Sequence, residues 1–276
     1  MPDTDEFNRA IEETCRLLRK NNGNKKGTLS LSPEVAQLIE GITVGSLPMP
    51  GRSEQSRQEL TTESTLSTKS TSSTKSIVPV SPSELSGIPD LPALEEAVSQ
   101  CTNCPLAATR TRTVFGSGNP HAKLVFVGEA PGQEEDVQGK PFVGRAGQLL
   151  TDIIEKGMNL KRSDVYICNV LKCRPPNNRD PLPAEVEQCE PYLIRQLELI
   201  RPKVICALGT HAAQTLLKTN ETIGRLRGKW HFYHGIPLRA TYHPAYLLRS
   251  PGEKKKTWID VQEVIKVYNG EVVPEP

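Results

Sequence analysis

The sequence predicts an α/β fold in which a central, mostly parallel sheet of four strands is covered by helices on both faces. Short apolar runs of strand length alternate along the chain with longer segments whose apolar residues recur at helical spacing. Such alternation is typical of parallel sheets whose crossover helices pack on both faces. In these sheets the ligand crevice lies at the carboxyl ends of the strands. Loops rich in Gly, Pro, Asn, His and acidic residues follow the predicted strands.

The first 86 residues are expected to form a disordered extension outside the folded domain. Residues 51–83 consist mainly of Ser and Thr with scattered Lys, Glu and Pro. Such a segment buries too little apolar surface to offset the entropy lost on ordering. Residues 3–20 have apolar residues at helical spacing, which predicts a short amphipathic helix. That helix is either transient or a docking element for a protein partner.

The elements predicted within the domain, residues 87–270, follow a regular order. A helix at 91–100 leads into the first cysteine pair. Strands are predicted at 122–128, 164–172, 203–209 and 237–244, and helices at 145–158, 183–200, 210–218 and 256–270. The strands are apolar runs, and proline at position 183 suits the first turn of its helix. Residues 271–276 form a short tail.

The bulk composition excludes some classes of protein. The chain has 276 residues, a formal net charge of +2, and no apolar run near the roughly 18 residues that a membrane-spanning helix needs. The small net charge does not by itself indicate a nucleic-acid partner. Seven cysteines behind a charged N-terminus without an apolar signal segment indicate a reducing cytoplasm. Cys168 and Cys206 lie within predicted strands and are interpreted as core thiols.

Four other cysteines have the spacing of a metal site. Cys101 and Cys104 form a C-x2-C pair followed by proline, and Cys173 and Cys189 are separated by 15 residues. Four converging thiolates hold either tetrahedral zinc or a [4Fe–4S] cluster, and this spacing alone favours neither. Zinc ribbons usually present two tight pairs, whereas proline after a ligand cysteine is common beside clusters. A disulfide is a weaker alternative.

Residues in the loops near the predicted strand ends are candidates for a ligand site. The loop GEAPGQEED at 128–136 has glycines that allow the backbone to approach a ligand closely. Asn169 lies within an apolar strand, where an amide must bond either local backbone or a ligand. Phe142 either packs in the core or stacks on a flat ligand. His243 follows the fourth strand and precedes a proline, which favours a site residue over a structural one.

A further segment combines apolar and basic residues in a pattern that suits contact with a duplex. It contains Leu247, Leu248 and Arg249, followed by Lys254, Lys255 and Lys256. Apolar tips beside cations suit insertion between bases together with contacts to phosphates. The alternative is the ordinary start of a surface helix.

Five motifs together resemble those of a known family. GEAPGQEED, PFVGRAGQLL, YICNVLKCRPP and HPAYLLR, with the four-cysteine set, resemble the family 4 uracil-DNA glycosylases, the iron–sulfur type. The resemblance covers about residues 87–270 and implies a three-layer αβα fold. It implies excision of uracil from DNA, which leaves an abasic site. It also implies a [4Fe–4S] cluster as cofactor, held by Cys101, Cys104, Cys173 and Cys189.

The same resemblance implies roles for the site residues. The uracil would be lined by Gly128, Glu129 and Ala130. Phe142 would stack on the ring, Asn169 would read its polar edge, and His243 would face its O2. Breaking the glycosidic bond leaves negative charge on the uracil, so the histidine and nearby backbone amides would act as an oxyanion hole. Glu129 is expected to position the attacking water, although three further acids lie in the same motif.

The expected substrate is uracil in single- or double-stranded DNA, which a monomer would excise without a divalent metal. One alternative is a uracil-DNA-binding relative, whose branch carries an extra basic loop before its histidine motif. Here Arg225, Arg227 and Lys229 precede that motif. The other alternative is a DNA-binding module associated with a polymerase, which would bind duplex DNA without releasing a base.

Overall fold

The computed structural model describes residues 85–275, and the predicted amphipathic helix and Ser/Thr-rich segment lie outside the described residues. The strands are β1 (Ser117–Gly118), β2 (Leu124–Gly128), β3 (Tyr166–Asn169), β4 (Val204–Leu208), β5 (Trp230–Tyr233) and β6 (Ile236–Thr241). The helices are α1 (Leu91–Ser99), α2 (Gln133–Gln138), α3 (Arg145–Asp152), α4 (Pro183–Ile200), α5 (Thr210–Leu217), α6 (Ile223–Leu226), α7 (Pro244–Arg249) and α8 (Lys254–Asn269). Within residues 85–275, no helix has the length and apolar character of a membrane span.

The sheet has six strands in the order β1-β3-β2-β4-β6-β5, which corrects the predicted count of four. The inner strands β3, β2, β4 and β6 are mutually parallel and correspond to the four predicted ones. The outer strands β1 and β5 are antiparallel to their neighbours. β1 has only two residues and therefore gives no periodic signal. β5 joins β6 through His234 and Gly235, whose φ values of 47° and 78° suit a type I′ hairpin turn.

Helices cover both faces of the sheet, which confirms the three-layer αβα class. On one face α4 and α5 contribute Leu197 and Leu216 to a buried cluster that also contains Val125 of β2. On the other face α3 and α8 pack against Phe126 of β2, and Val264 of α8 belongs to that cluster. Successive residues of β2 alternate between the two clusters, so every residue of the strand is buried. The strand therefore has a fixed register, and its carboxyl end is held firmly.

Helix α4 begins at a well-defined point and so fixes the cysteine that it carries. Pro183 occupies the first turn, and the Glu185 carboxylate accepts a hydrogen bond from Leu182 N at 2.9 Å. Arg179 Nη2 lies 2.5 Å from Glu185 Oε1, which ties the loop after β3 to the start of the helix. Cys189 lies less than two turns further along, on the buried face of the helix.

Candidate active site and cysteine centre

The carboxyl ends of the inner strands bring together the residues that the sequence selects for a ligand site. Gly128 ends β2, Asn169 ends β3, and the two residues are partners in the parallel ladder. His243 lies two residues beyond the end of β6, and Gly209 directly follows β4. A Cβ at Gly209 would lie 2.9 Å from His243 Cβ, so the loops after β4 and β6 are in close contact. The crevice therefore lies where parallel α/β sheets hold their ligands.

Asn169 presents an unpaired acceptor to this crevice. Its side chain is 2% exposed, and its Oδ1 atom has no hydrogen-bond partner among the residues that the structure describes. A Cβ at Gly128 would lie 2.3 Å from this oxygen and 2.7 Å from Phe142 Cζ. The amide and the aromatic ring therefore close over a strand residue that has no side chain. Because buried acceptors are nearly always paired, this oxygen indicates a ligand with a hydrogen-bond donor.

Phe142 is held in an unfavourable backbone conformation beside that amide. Its φ is 52°, a left-handed value that costs a residue other than glycine on the order of 1–3 kcal/mol. Arg162 Nη2 donates to the carbonyl oxygens of Pro141 and Phe142, each at 3.0 Å. The Phe142 carbonyl also abuts Gly147, where a Cβ would lie 1.8 Å from the oxygen. The ring is 7% exposed, and its centroid lies 5.5 Å from that of His243.

The acidic residues of the loop after β2 have different surroundings. Glu135 Oε1 accepts hydrogen bonds from the amides of Val143 and Gly144 at 3.1 and 3.3 Å, so it supports the Phe142 loop. Asp136 is buried and accepts a hydrogen bond from Thr111 N at 2.9 Å. These structural roles separate two of the acids from Glu129, which was one of four candidates in the sequence.

Glu129 directly follows β2 and is half-buried at the crevice. Burial raises the pKa of its carboxyl, His211 lowers that pKa, and Asp180 raises it. His211 lies in the first turn of α5, just after β4, and Asp180 lies on the loop after β3; their Nε2 and Oδ1 atoms are 3.4 Å apart. No role was assigned to this histidine from the sequence. Ala130, the third predicted lining residue, follows Glu129 and packs against the cysteine-containing cluster.

His243 is a neutral imidazole with one nitrogen directed to the protein. Its Nδ1 accepts a hydrogen bond from Ala245 N at 3.1 Å and so caps the start of α7. Burial, and secondarily the charge of Arg249, lower the pKa of His243 to about 4, while Glu135 acts in the opposite direction. At neutral pH the single ring proton is therefore on Nε2, where it is available to donate. A neutral histidine donor is suited to stabilising a developing anion.

The four predicted ligand cysteines line one cavity. Cys101, Cys104, Cys173 and Cys189 line one small pocket that is partly open to solvent. Two sulfurs already accept hydrogen bonds, Cys173 from Arg110 Nη1 at 3.4 Å and Cys189 from Lys172 N at 3.3 Å. Burial raises the pKa of the Cys189 thiol to about 12, so its thiolate form requires compensating positive charge. Four such sulfurs around one cavity are the donor set of a thiolate-bound metal centre.

The four cysteines have a donor set that suits more than one kind of metal centre. Among residues 85–275, no three His, Cys, Asp or Glu side chains converge closely enough to hold one metal ion. Tetrahedral zinc binds its four thiolates at about 2.3 Å and so brings the sulfurs within about 4 Å of one another. A [4Fe–4S] cluster binds each thiolate at a different iron, which leaves the sulfurs further apart. Four thiols around one pocket suit either centre as a donor set. Cys168 and Cys206 are fully buried in β3 and β4 and do not line the cavity.

The residues predicted to contact DNA differ in their exposure. Leu247 is 1% exposed and packs inward, so the expectation of an apolar tip does not fit this residue. Leu248 is 38% exposed, and Tyr246, which the sequence reasoning missed, is 37% exposed. Arg249, Lys255 and Lys256 are exposed, and Lys254 is half-buried. Lys256 Nζ lies 2.8 Å from Glu253 Oε2.

The basic segment that precedes the histidine motif is partly engaged within the protein. Arg227 Nε donates to the buried Asp260 carboxylate at 2.9 Å, and Arg227 Nη2 donates to Lys256 O at 2.7 Å. Arg227 therefore fastens α6 to α8. Because Arg227 is engaged within the protein, this segment has fewer cations left to contact DNA.

Comparisons with known proteins agree with this geometry. The family model for the uracil DNA glycosylase superfamily matches residues 115–262. A type-4 uracil-DNA glycosylase of Saccharolobus solfataricus is 45% identical over 63% of this chain and 85% of its own length. Type-4 uracil-DNA glycosylases of Archaeoglobus fulgidus and Thermotoga maritima are 47% and 48% identical, over 60% and 57% of this chain and 87% and 82% of their own lengths. The chain therefore belongs to the uracil DNA glycosylase superfamily, within its type-4 branch.

Proposed function

We propose that this protein flips uracil out of DNA and hydrolyses its N-glycosidic bond, leaving an abasic site for base excision repair. The observation that carries the proposal is the unpaired, buried Oδ1 of Asn169 beside Phe142. Extrusion costs a few kcal/mol, which a pocket specific for the flipped base must recover. The names of the type-4 relatives support uracil as that base.

Base recognition depends on the amide of Asn169 and the ring of Phe142. Uracil presents an N3–H donor next to the O4 acceptor, and a side-chain amide presents the complementary acceptor and donor. The unpaired Oδ1 would accept from N3–H, and the amide nitrogen would donate to O4. Cytosine has the opposite pattern at these two positions and would leave buried groups unpaired. Phe142 would stack on the base, and Gly128 would leave room for the Asn169 amide and the Phe142 ring that line the pocket.

Stabilisation of the leaving group is assigned to His243. As the glycosidic bond breaks, its electron pair moves to the base and gives the uracil a negative charge, much of it on O2. The Nε2 proton of the neutral imidazole would donate to that oxygen, assisted by backbone amides after β2. Removing one such donor typically costs about 10²–10³ in rate.

Glu129 is proposed to hold the attacking water. Its carboxylate would accept a hydrogen bond from a water directed at C1′ of the sugar. Burial raises its pKa, which makes the ionised carboxylate a stronger base than an exposed one. The water would add to C1′ and give one proton to the carboxylate or to solvent, and the uracil anion would take up one proton from solvent, so the products are the free base and an abasic sugar. No divalent ion is needed for these steps.

Cys101, Cys104, Cys173 and Cys189 are proposed to hold a [4Fe–4S] cluster. When bound, it cross-links the end of α1, the loop after β3 and helix α4, so its binding energy is also folding energy. A brown protein with a broad visible band would support the cluster, whereas zinc gives no such colour. Cys189→Ala should bleach the protein. Cys168→Ala is the matched control, because this buried thiol does not line the cavity.

DNA contact is proposed along α7 and the start of α8. Leu248 and Tyr246 would supply the exposed apolar surface that enters the duplex, and Arg249, Lys255 and Lys256 would contact phosphates. Uracil in single- and double-stranded DNA would both be substrates for a monomer. Residues 1–84 would not be needed for the chemical step and are proposed as a site for a protein partner. Leu85, which the sequence analysis placed in the extension, is 3% exposed and belongs to the buried cluster that contains Cys173 and Cys189.

The direct test is incubation with a uracil-containing oligonucleotide, followed by alkaline cleavage at abasic sites and assay of free uracil. Release of free uracil in the presence of EDTA would support the proposal. A thymine-containing oligonucleotide is the substrate control. Binding of duplex without release of uracil would favour the polymerase-associated module instead. A covalent adduct between protein and DNA would favour the uracil-DNA-binding relative.

A further inference from the structure

Lys172 is a buried lysine whose role the proposed mechanism does not include. Its side chain is 1% exposed, and it lines the same cavity as the four cysteines. Its Nζ donates to Asn169 O at 2.7 Å and to Gln196 Oε1 at 2.5 Å. None of the ion pairs within residues 85–275 includes Lys172.

A buried ammonium without a carboxylate partner requires another source of negative charge. Burial of an unpaired charge costs several kcal/mol, and two neutral carbonyl oxygens recover only part of that cost. The cysteine pocket is the candidate that we consider, since Lys172 lines it, Cys173 is the next residue, and Cys189 Sγ accepts a hydrogen bond from the backbone N of Lys172 at 3.3 Å. A cluster with four thiolates carries a net negative charge, so it would supply the missing counter-charge.

The hydrogen bonds of the Lys172 side chain also reach Asn169, the residue proposed to read the base. The carbonyl that accepts from Nζ belongs to Asn169, whose side chain carries the unpaired Oδ1. The second acceptor, Gln196, is itself fixed because its Nε2 donates to Phe115 O at 3.0 Å and to Tyr166 OH at 3.3 Å. Lys172 is therefore held between the fixed side-chain amide of Gln196, the end of β3 and the cysteine cavity.

We propose that Lys172 is a positioning residue that balances the charge of the cysteine-bound cluster and holds Asn169 in place for uracil. Uracil recognition would thereby depend on an occupied cysteine centre. This inference rests on the proposed function and goes beyond it, because it links the cluster to base reading through one side chain.

The test compares Lys172→Met with Lys172→Arg, Gln196→Leu and a surface control, Lys203→Met. We expect Lys172→Met to lower kcat/KM for uracil excision by about 10–100-fold, the effect of losing a charged hydrogen bond. It should also shift the reduction potential of the cluster to a more negative value, because a nearby positive charge favours the reduced form. Lys172→Arg should restore the potential, and Gln196→Leu should leave the potential unchanged. Lys203→Met should change neither quantity.

A double-mutant cycle identifies the residue through which Lys172 acts. In an Asn169→Ala background, Lys172→Met should cause little further loss of kcat/KM, since the side-chain amide that Lys172 is proposed to hold in place is already absent. An equal loss in both backgrounds, or a wild-type potential in Lys172→Met, would overturn the inference. A colourless, redox-silent wild-type protein would also overturn it, because no charged cluster would then face Lys172.

The two proposals fail in distinguishable ways. If the wild-type protein releases no uracil, the proposed function fails, and the potential of Lys172→Met still tests the charge balance. If Lys172→Met does not fold, the inference is tested by the reduction potential and the kcat/KM of Lys172→Arg and Gln196→Leu. A loss of kcat/KM in Gln196→Leu that persists in the Asn169→Ala background would then contradict the inference.

Discussion

Gly128 and Asn169 are partners in adjacent parallel strands, and a Cβ at Gly128 would lie 2.3 Å from Asn169 Oδ1. That distance is shorter than any real contact of a Cβ atom, so the amide occupies the space that a side chain at position 128 would fill. The Phe142 ring closes the same space from the other side, with Cζ 2.7 Å from the Cβ position. The Asn169 amide and the Phe142 ring can therefore line the pocket only because residue 128 has no side chain.

Gly128→Ala is expected to reduce uracil excision by at least about 100-fold. The added methyl must displace either the amide or the ring, and overpacking of this kind also costs about 1–3 kcal/mol in free energy of unfolding. Gly224→Ala is the matched control, because the atom nearest to its Cβ is 4.0 Å away. Single-turnover excision and urea denaturation of both variants check the prediction. Full activity in Gly128→Ala would mean that the base binds elsewhere.

Asn169→Asp is expected to weaken uracil excision and to improve the match to cytosine. The change replaces an amide donor that would face O4 with an acceptor, which suits the amino group of cytosine. Excision from matched uracil- and cytosine-containing oligonucleotides measures the shift. Unaltered uracil excision in Asn169→Asp would show that this amide does not read the base.

His243→Ala is expected to lower the single-turnover rate by about 10²–10³, the usual effect of deleting one oxyanion donor. Binding to abasic product DNA should hardly change, because the phosphate contacts proposed for α7 and α8 would remain. His243→Asn separates catalysis from helix capping: asparagine can cap α7 in place of Nδ1 but lacks the Nε2 donor. A near-wild-type rate in either variant contradicts the assigned role.

The depressed pKa of His243 predicts a pH-dependent stability. The unfolded histidine binds a proton near pH 6.5, whereas the folded one does so only at about 4. Between these values the unfolded state binds more protons, so the free energy of unfolding falls as the pH falls from 6.5 to 4. The loss attributable to His243 is at most about 3 kcal/mol. Urea denaturation at pH 7 and pH 4.5 should show a smaller decrease for His243→Asn than for the wild type.

Arg162 is expected to act on catalysis only through Phe142. Its guanidinium holds the Phe142 carbonyl at 3.0 Å and so maintains the left-handed backbone. Arg162→Met should raise KM more than it lowers kcat, because the stacking ring becomes misplaced. In a Phe142→Ala background the same substitution should have almost no further effect. Additive losses in the double variant would indicate a separate role for Arg162.

The sequence predicts the inner sheet and most of the pocket because their signals are local. The strands are continuous apolar runs, and Gly128, Asn169 and His243 stand out as glycine or polar residues at strand ends. The inward orientation of Leu247 was not predictable in the same way. In a six-residue helix the direction of each side chain is set by packing against α3 rather than by periodicity. The roles of Arg162 and Lys172 likewise depend on contacts across loops, which leave no pattern in the sequence.

The order of the cysteines along the chain has a consequence for biosynthesis. Cys189 is the last of the four, and it precedes β4, β5 and β6. A ribosome therefore delivers all four sulfurs while half of the sheet is still unmade, with β1, β3 and β2 already available to pair. The four proposed ligands are therefore all synthesised before β4, which pairs with the open edge of β2. They also precede His243, the last of the proposed pocket residues along the chain.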